Sequence, residues 1–258
     1  MGRNRIADRR GAPSCRIAGL VTEPKPIYVY WYSHPNLVSA DSTGNEFLDE
    51  AELRHYRSIE RPEIAESFAY RRGLLRRILA DHTGISAERL TFDTGVNGKP
   101  SLVGDHPELH FNTSQTGNNG LIAISSEGPV GIDVEIIRPL DAAAFSDKIL
   151  SPLERIEFSA LSSKDRLSTI FRYWTAKEAM IKAVGAGLNL NLLRQISVVQ
   201  PNMPTEKVNW LPVKLTGLLE GRGKWYFCTE SLPAPFPQPA IFSIACQKRL
   251  RLKIQQAS

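Results

Sequence analysis

The chain has 258 residues, of which 42% are hydrophobic and 23% charged, with a formal net charge of +5. That is enough chain to bury a sizeable core as one domain or two small ones. No apolar run approaches the ~18 residues of a membrane-spanning helix, and the positive balance favours an acidic partner: a phosphate ligand, an acidic protein or nucleic acid.

Residues 1–26 carry Arg, Gly and Pro without a clear period and read as a basic tail. The start, MGRNRIADRR, is followed by no apolar signal core, so no secretory signal is expected. Ile27–Tyr32 is β-branched and aromatic, a strand by pattern. Asn45–Glu60 reads as a helix with Leu48, Leu53, Tyr56 and Ile59 in phase. Pro62 opens a second helix running to about Asp81, with Phe68, Leu74, Leu75 and Ile78 on its apolar side and Arg71, Arg72, Arg76 and Arg77 on the others. Asn97-Gly98 marks a turn, with Lys99 at its exit.

His110–Ser126 reads as strand, polar loop, strand, and Val130–Ile136 as a further strand. In Phe171–Leu188 the helical spacing sets Glu178 and Lys182 one turn apart on one face, with Lys177 on its flank. Gly185 and Gly187 supply the stop. Four short strand candidates follow (195–199, 208–215, 224–229 and 241–245), punctuated by Pro-rich loops near 201–204 and 232–239. Residues 248–258 read as a frayed basic tail. The three cysteines, Cys15, Cys228 and Cys246, show no CxxC or metal spacing, which points to a reducing, cytoplasmic setting.

The second half replays the first at an offset near one hundred residues. Strand 130–136 answers 27–32, Leu150-x-x-x-Glu154 answers Leu48-x-x-x-Glu52, and Phe171-x-Tyr173 answers Phe68-x-Tyr70. A duplicated α+β unit is expected, with halves at 27–128 and 129–250 between tails at 1–26 and 251–258.

Strand alternation puts Asp133 and Glu135 on one face, ~6.6 Å apart along the backbone. Two adjacent acids repel unless a cation answers them, and Mg²⁺, which takes one or two carboxylates beside substrate phosphate, suits the pair. A solvated strand face with one acid paired to Lys or Arg is the alternative. Glu178 would add a third carboxylate if its helix packs on this strand. Otherwise Thr175-x-x-Glu178 is a capping box, or Glu178 and Lys182 a surface ion pair.

The motifs GVNGKP (95–100), FNTSQTG (111–117), GIDVE (131–135) and WTAKEAMIKAVGAGL (174–188) resemble, in order and spacing, those of the 4′-phosphopantetheinyl transferases of the surfactin-synthetase-activating type. The resemblance implies an α+β fold of two halves related by pseudo-twofold symmetry. It also implies Mg²⁺-dependent transfer of phosphopantetheine from coenzyme A to a serine of an acyl carrier protein or of a carrier domain of a polyketide or peptide synthetase. By it, Asp133, Glu135 and Glu178 match the metal carboxylates, and Glu178 also matches the base. Lys182 matches the lysine at the coenzyme A diphosphate, and Lys177, which precedes the glutamate as in the family, is expected among the coenzyme A contacts. Lys99 and Arg72 match residues of the nucleotide side, and Ser114 the serine of the FNxSHS motif. Gln115 stands where the family has histidine, keeping a hydrogen bond but no charge.

A monomer is expected by the same resemblance. The rival readings are a non-catalytic coenzyme A or carrier-protein binding module and a nucleic-acid binder, the latter without a recognisable motif.

Overall fold

The computed structural model describes residues 23–34, 44–104, 108–187, 189–198, 209–232, 236 and 238–257. The basic tail at 1–22 and the Pro-rich stretch at 201–204 lie outside the described residues. The elements in order are β1 (Ile27–Ser33), α1 (Glu50–Ser58), α2 (Pro62–Thr83), β2 (Thr91–Thr94), β3 (Pro100–Val103), β4 (His110–Thr116), β5 (Asn119–Ser125) and β6 (Val130–Ile136). There follow α3 (Ala142–Ile149), α4 (Pro152–Ser159), α5 (Ser163–Val184), α6 (Leu190–Leu193), β7 (Ile196–Val198), β8 (Leu211–Leu215), β9 (Trp225–Ser231), β10 (Ala240–Cys246) and β11 (Leu252–Gln256).

The fold is α+β. One sheet runs β11-β1-β5-β4, a second runs β6-β10-β9-β8-β7, and β2 and β3 form a separate hairpin. In each large sheet the opening strand of the half pairs antiparallel with its last strand, β1 with β5 and β6 with β10. The helices repeat too. Helices α2 and α5 are both 22 residues long, and Gly84 and Gly185, in the left-handed conformation that glycine adopts freely, close them. Capping boxes open α1 (Asp49 with Glu52) and α4 (Ser151 with Glu154).

Three apolar clusters hold these layers. Leu74, Leu75, Ile78 and Leu79 of α2 pack with Phe111, Ile122 and Ile124 of the first sheet. Val29, Trp31, Leu121 and Ala123 meet Val130, Ile132, Val134, Phe242 and Ile244 between the sheets. Phe171, Ala176, Ala179 and Met180 of α5 cover the second sheet through Phe227, Ile241 and Ala245. The period-two pattern of β1 and β6 thus divides each strand between a sheet–sheet core and a helix–sheet face.

Three expectations change. The helix foreseen over 45–60 is a 3₁₀ turn, Asn45–Phe47, and then α1, because the capping box at Asp49 starts a new helix. Helix α5 begins at Ser163, eight residues before the glycine-stopped motif. Thr175 is therefore mid-helix and caps nothing; its hydroxyl meets Ser243 Oγ at 2.7 Å. The end of the chain is a strand, not a frayed tail. β11 pairs in parallel with β1, so the first sheet draws a strand from the far end of the chain.

Candidate active site

The site forms where α5 crosses β6 beside β4. Gly131 permits that crossing: a Cβ there would overlap the Ala179 carbonyl and the Ala183 amide of α5. With the helix backbone so close to the strand, Asp133 and Glu135 on the α5 side of β6 meet Glu178 and Lys182. A cavity of about 400 Å³ is lined by Asp133, Glu135, Glu178, Lys182, Ser114 and Gln115, with Arg71 and Arg72 also on its wall. Acids from one half and arginines from the other thus share one space.

The edge of β4 secures this junction with side chains in place of a backbone ladder. Asn112 Oδ1, Ser114 Oγ and Thr116 Oγ1, alternate residues on one face of β4, accept from Ile132 N (2.9 Å), Val134 N (3.2 Å) and Ile136 N (3.4 Å). Each satisfies a donor on the edge of the second sheet that would otherwise be orphaned. Ser114 goes further: its hydroxyl donates to Asp133 Oδ1 at 2.8 Å and receives Lys182 Nζ at 3.0 Å. One donor and two lone pairs are all used.

Each carboxylate has its own partner. Lys182 Nζ lies 2.7 Å from Asp133 Oδ1. Arg138 Nη1 lies 2.6 Å from Glu135 Oε2, and Trp174 Nε1 donates to Glu178 Oε1 at 2.5 Å. Burial raises all three carboxyl groups above their ordinary range. For Glu178, burial and then the charge of Asp133 push the pKa to about 6. Asp133 is almost fully buried, and its Oδ2 has no hydrogen-bond partner among the described residues.

An unpartnered buried carboxylate oxygen beside two more acids fits a hard divalent cation in donor chemistry. Among the described residues, however, no three His, Cys, Asp or Glu side chains stand close enough together to hold one as they are placed. Asp133 is paired instead with Lys182, and Glu135 with Arg138.

Two further residues expected at the site lie elsewhere. Lys177, grouped with the coenzyme A ligands by resemblance, is wholly buried and turned away from the cavity. Its ammonium bonds to Ile149 O (2.9 Å), Leu193 O (2.8 Å) and Ile196 O (2.7 Å) and pairs with Glu154 at 2.6 Å. Following Glu178 by one position in reverse, it points some 100° round the helix. Lys99 lines a different cavity, of about 410 Å³, with Asn97, Phe111 and Gly185. Its amine bonds to Val130 O (3.2 Å) and Ala183 O (3.1 Å), and burial lowers its pKa to about 8.

Arg72 does reach the cavity, but it is also held by Glu52, whose other oxygen takes Arg76 Nε at 2.5 Å. Gln115 is exposed on the cavity wall. Among the residues that sequence reasoning missed is Arg138. A basic residue three positions after Glu135 was the available signal, hidden because it lies just past the strand.

Residues 129–232 match the model of the 4′-phosphopantetheinyl transferase superfamily. A relative from Synechocystis sp. is 31% identical over 64% of this chain and 66% of its own length. The 4′-phosphopantetheinyl transferase HetI of Nostoc sp. is 34% identical over 55% of this chain and 61% of its own. The chain thus spans somewhat less than two thirds of these relatives. A crystal structure of the holo-acyl-carrier-protein synthase of Thermotoga maritima aligns with 47% of this chain and 64% of its own, at 22% identity and a TM-score of 0.35. The matched model and both relatives bear the same family description.

Proposed function

We propose that this chain, which carries the 4′-phosphopantetheinyl transferase superfamily signature over residues 129–232, transfers 4′-phosphopantetheine from coenzyme A to a serine hydroxyl of a carrier protein. The observation that carries the reading is the meeting of Asp133, Glu135, Glu178 and Lys182 with Arg71 and Arg72 around one cavity. Acids for a metal and a proton, and cations for phosphates, are the groups that phosphoryl-type transfer needs.

Asp133, Glu135 and Glu178 would hold Mg²⁺, which when bound offsets charge developing on the diphosphate. Glu178, directly or through water, takes the proton of the attacking serine. The serine oxygen bonds to the β-phosphorus of coenzyme A as the bond to the bridging oxygen breaks, and 3′,5′-ADP leaves. Lys182, aimed by Ser114 and Asp133, faces the departing phosphate. Arg71 and Arg72 supply positive charge for the rest of the nucleotide, and Gln115 a neutral hydrogen bond. The surfactin-synthetase-activating branch is favoured by the paired halves and the WTAKEA form of the motif at 174–179. A formal net charge of +5 suits docking of an acidic carrier protein.

The test is the intact mass of an apo acyl carrier protein incubated with this chain, coenzyme A and Mg²⁺. A phosphopantetheine-sized gain, abolished by EDTA and by Glu178→Ala, is expected. No gain on fatty-acid, polyketide or peptide carriers, with coenzyme A still bound, would favour a binding module instead.

A further inference from the structure

Two of the site's three acids are joined by a chain of contacts through one arginine. Arg138 Nη1 donates to Glu135 Oε2 at 2.6 Å and to Ile136 O at 3.3 Å. Its guanidinium lies 5.4 Å from the Phe171 ring centre and 5.5 Å from that of Trp174, within cation–π range. Those two rings stack at 5.9 Å and 17°, and Trp174 in turn holds Glu178. A single line therefore runs from Glu135 through Arg138 and Trp174 to Glu178.

We infer that Arg138 is a built-in counter-ion for Glu135 which a divalent cation must displace, so that Arg138 sets the metal affinity of the site. This rests on the metal reading above. The other cation paired with one of the three acids, Lys182, is less free to move: its amine is bound to both Asp133 and Ser114, and Ser114 is itself bonded to β6. Arg138 is half exposed, and water readily replaces the partner of such a pair. It carries the same sign as the incoming ion and sits on one of that ion's ligands. Removing it takes away a competitor and a repulsion together. Its stacking on Phe171 and Trp174 keeps the displaced guanidinium beside the cavity, so the device resets when the cation leaves.

The test is Mn²⁺ binding to the full chain, read from the electron paramagnetic resonance signal of free Mn²⁺ without coenzyme A or carrier. Arg138→Met keeps an aliphatic stem against the two rings, and Arg138→Gln is a second variant without charge. Both are expected to tighten binding by roughly three- to tenfold, the scale of losing one partly exposed ion pair and one like charge. Glu135→Gln is expected to weaken it. Unchanged or weaker binding in the Arg138 variants, with Glu135→Gln still harmful, would overturn the counter-ion role and leave the metal reading standing. Wild-type binding no tighter than that of Glu135→Gln would overturn both.

Discussion

Lys177 and Glu154 form a buried ion pair at 2.6 Å that has a counterpart in the other half, where Arg76 meets Glu52 at 2.5 Å. In each half the acid is the third residue of a helix opened by a capping box, and the cation is a fully buried side chain of the 22-residue helix. An ion pair of the same kind thus ties a capping-box helix to a 22-residue helix twice in the chain. In the second half this pair fixes the helix that presents Glu178, the next residue.

Breaking a buried pair on one side leaves an uncompensated charge. Glu154→Gln and Lys177→Met are each expected to lower stability by about 3–5 kcal/mol. Urea unfolding is the measurement. A Lys177→Met protein of unchanged stability but raised KM for coenzyme A would instead return Lys177 to the substrate.

Ser114 holds both partners of the Asp133–Lys182 pair and a backbone amide of β6. Ser114→Ala orphans buried Val134 N and removes a donor from Asp133, a loss of roughly 1–3 kcal/mol per stranded group. Lys182, released from one of its two anchors, is expected to lose kcat more than KM. Thermal unfolding and steady-state kinetics on the same variant separate the two effects.

Gly131→Ala tests the close crossing of α5 over β6. The added methyl forces the helix away from the strand, so a fall in stability of more than about 1–3 kcal/mol is expected for such overpacking. Separation of the acids should abolish activity even where the variant remains folded, as judged by circular dichroism.

Lys99 makes a pH prediction. Burial lowers its folded pKa to about 8, below the 10.5 of an exposed lysine. Between these values the unfolded chain binds more protons than the folded one, so this residue's contribution makes stability rise with pH from about 8 toward 10.5. Below pH 8 both states are charged and the penalty of burying the ammonium stands in full. The difference in unfolding free energy between wild type and Lys99→Met should therefore move in favour of wild type as pH is raised from about 8 toward 10.5. A difference that is flat or falls with pH would contradict it.

The acids and Lys182 were legible in the sequence because period-two and helical spacing each place them on one face, and the motifs around them are specific. The repeated element order was legible for the same reason: apolar positions recur with the helices and strands that bear them. Lys177 was misplaced because adjacency in sequence is not adjacency on a helix; a single step turns a side chain about 100°. β11 was missed because a five-residue strand with basic flanks shows its partner only in three dimensions. The clamp of Asn112, Ser114 and Thr116 on β6 depended on two edge strands from different halves coming together, which no local pattern reveals.

The most direct measurement is single-turnover release of 3′,5′-ADP from coenzyme A and an apo carrier protein by wild type, Asp133→Asn and Lys182→Met, each first shown to be folded. Release by wild type and a loss of at least ~10²-fold in both variants are expected if this cavity stabilises the transferring phosphate. Release by either variant at close to the wild-type rate would place the chemistry elsewhere.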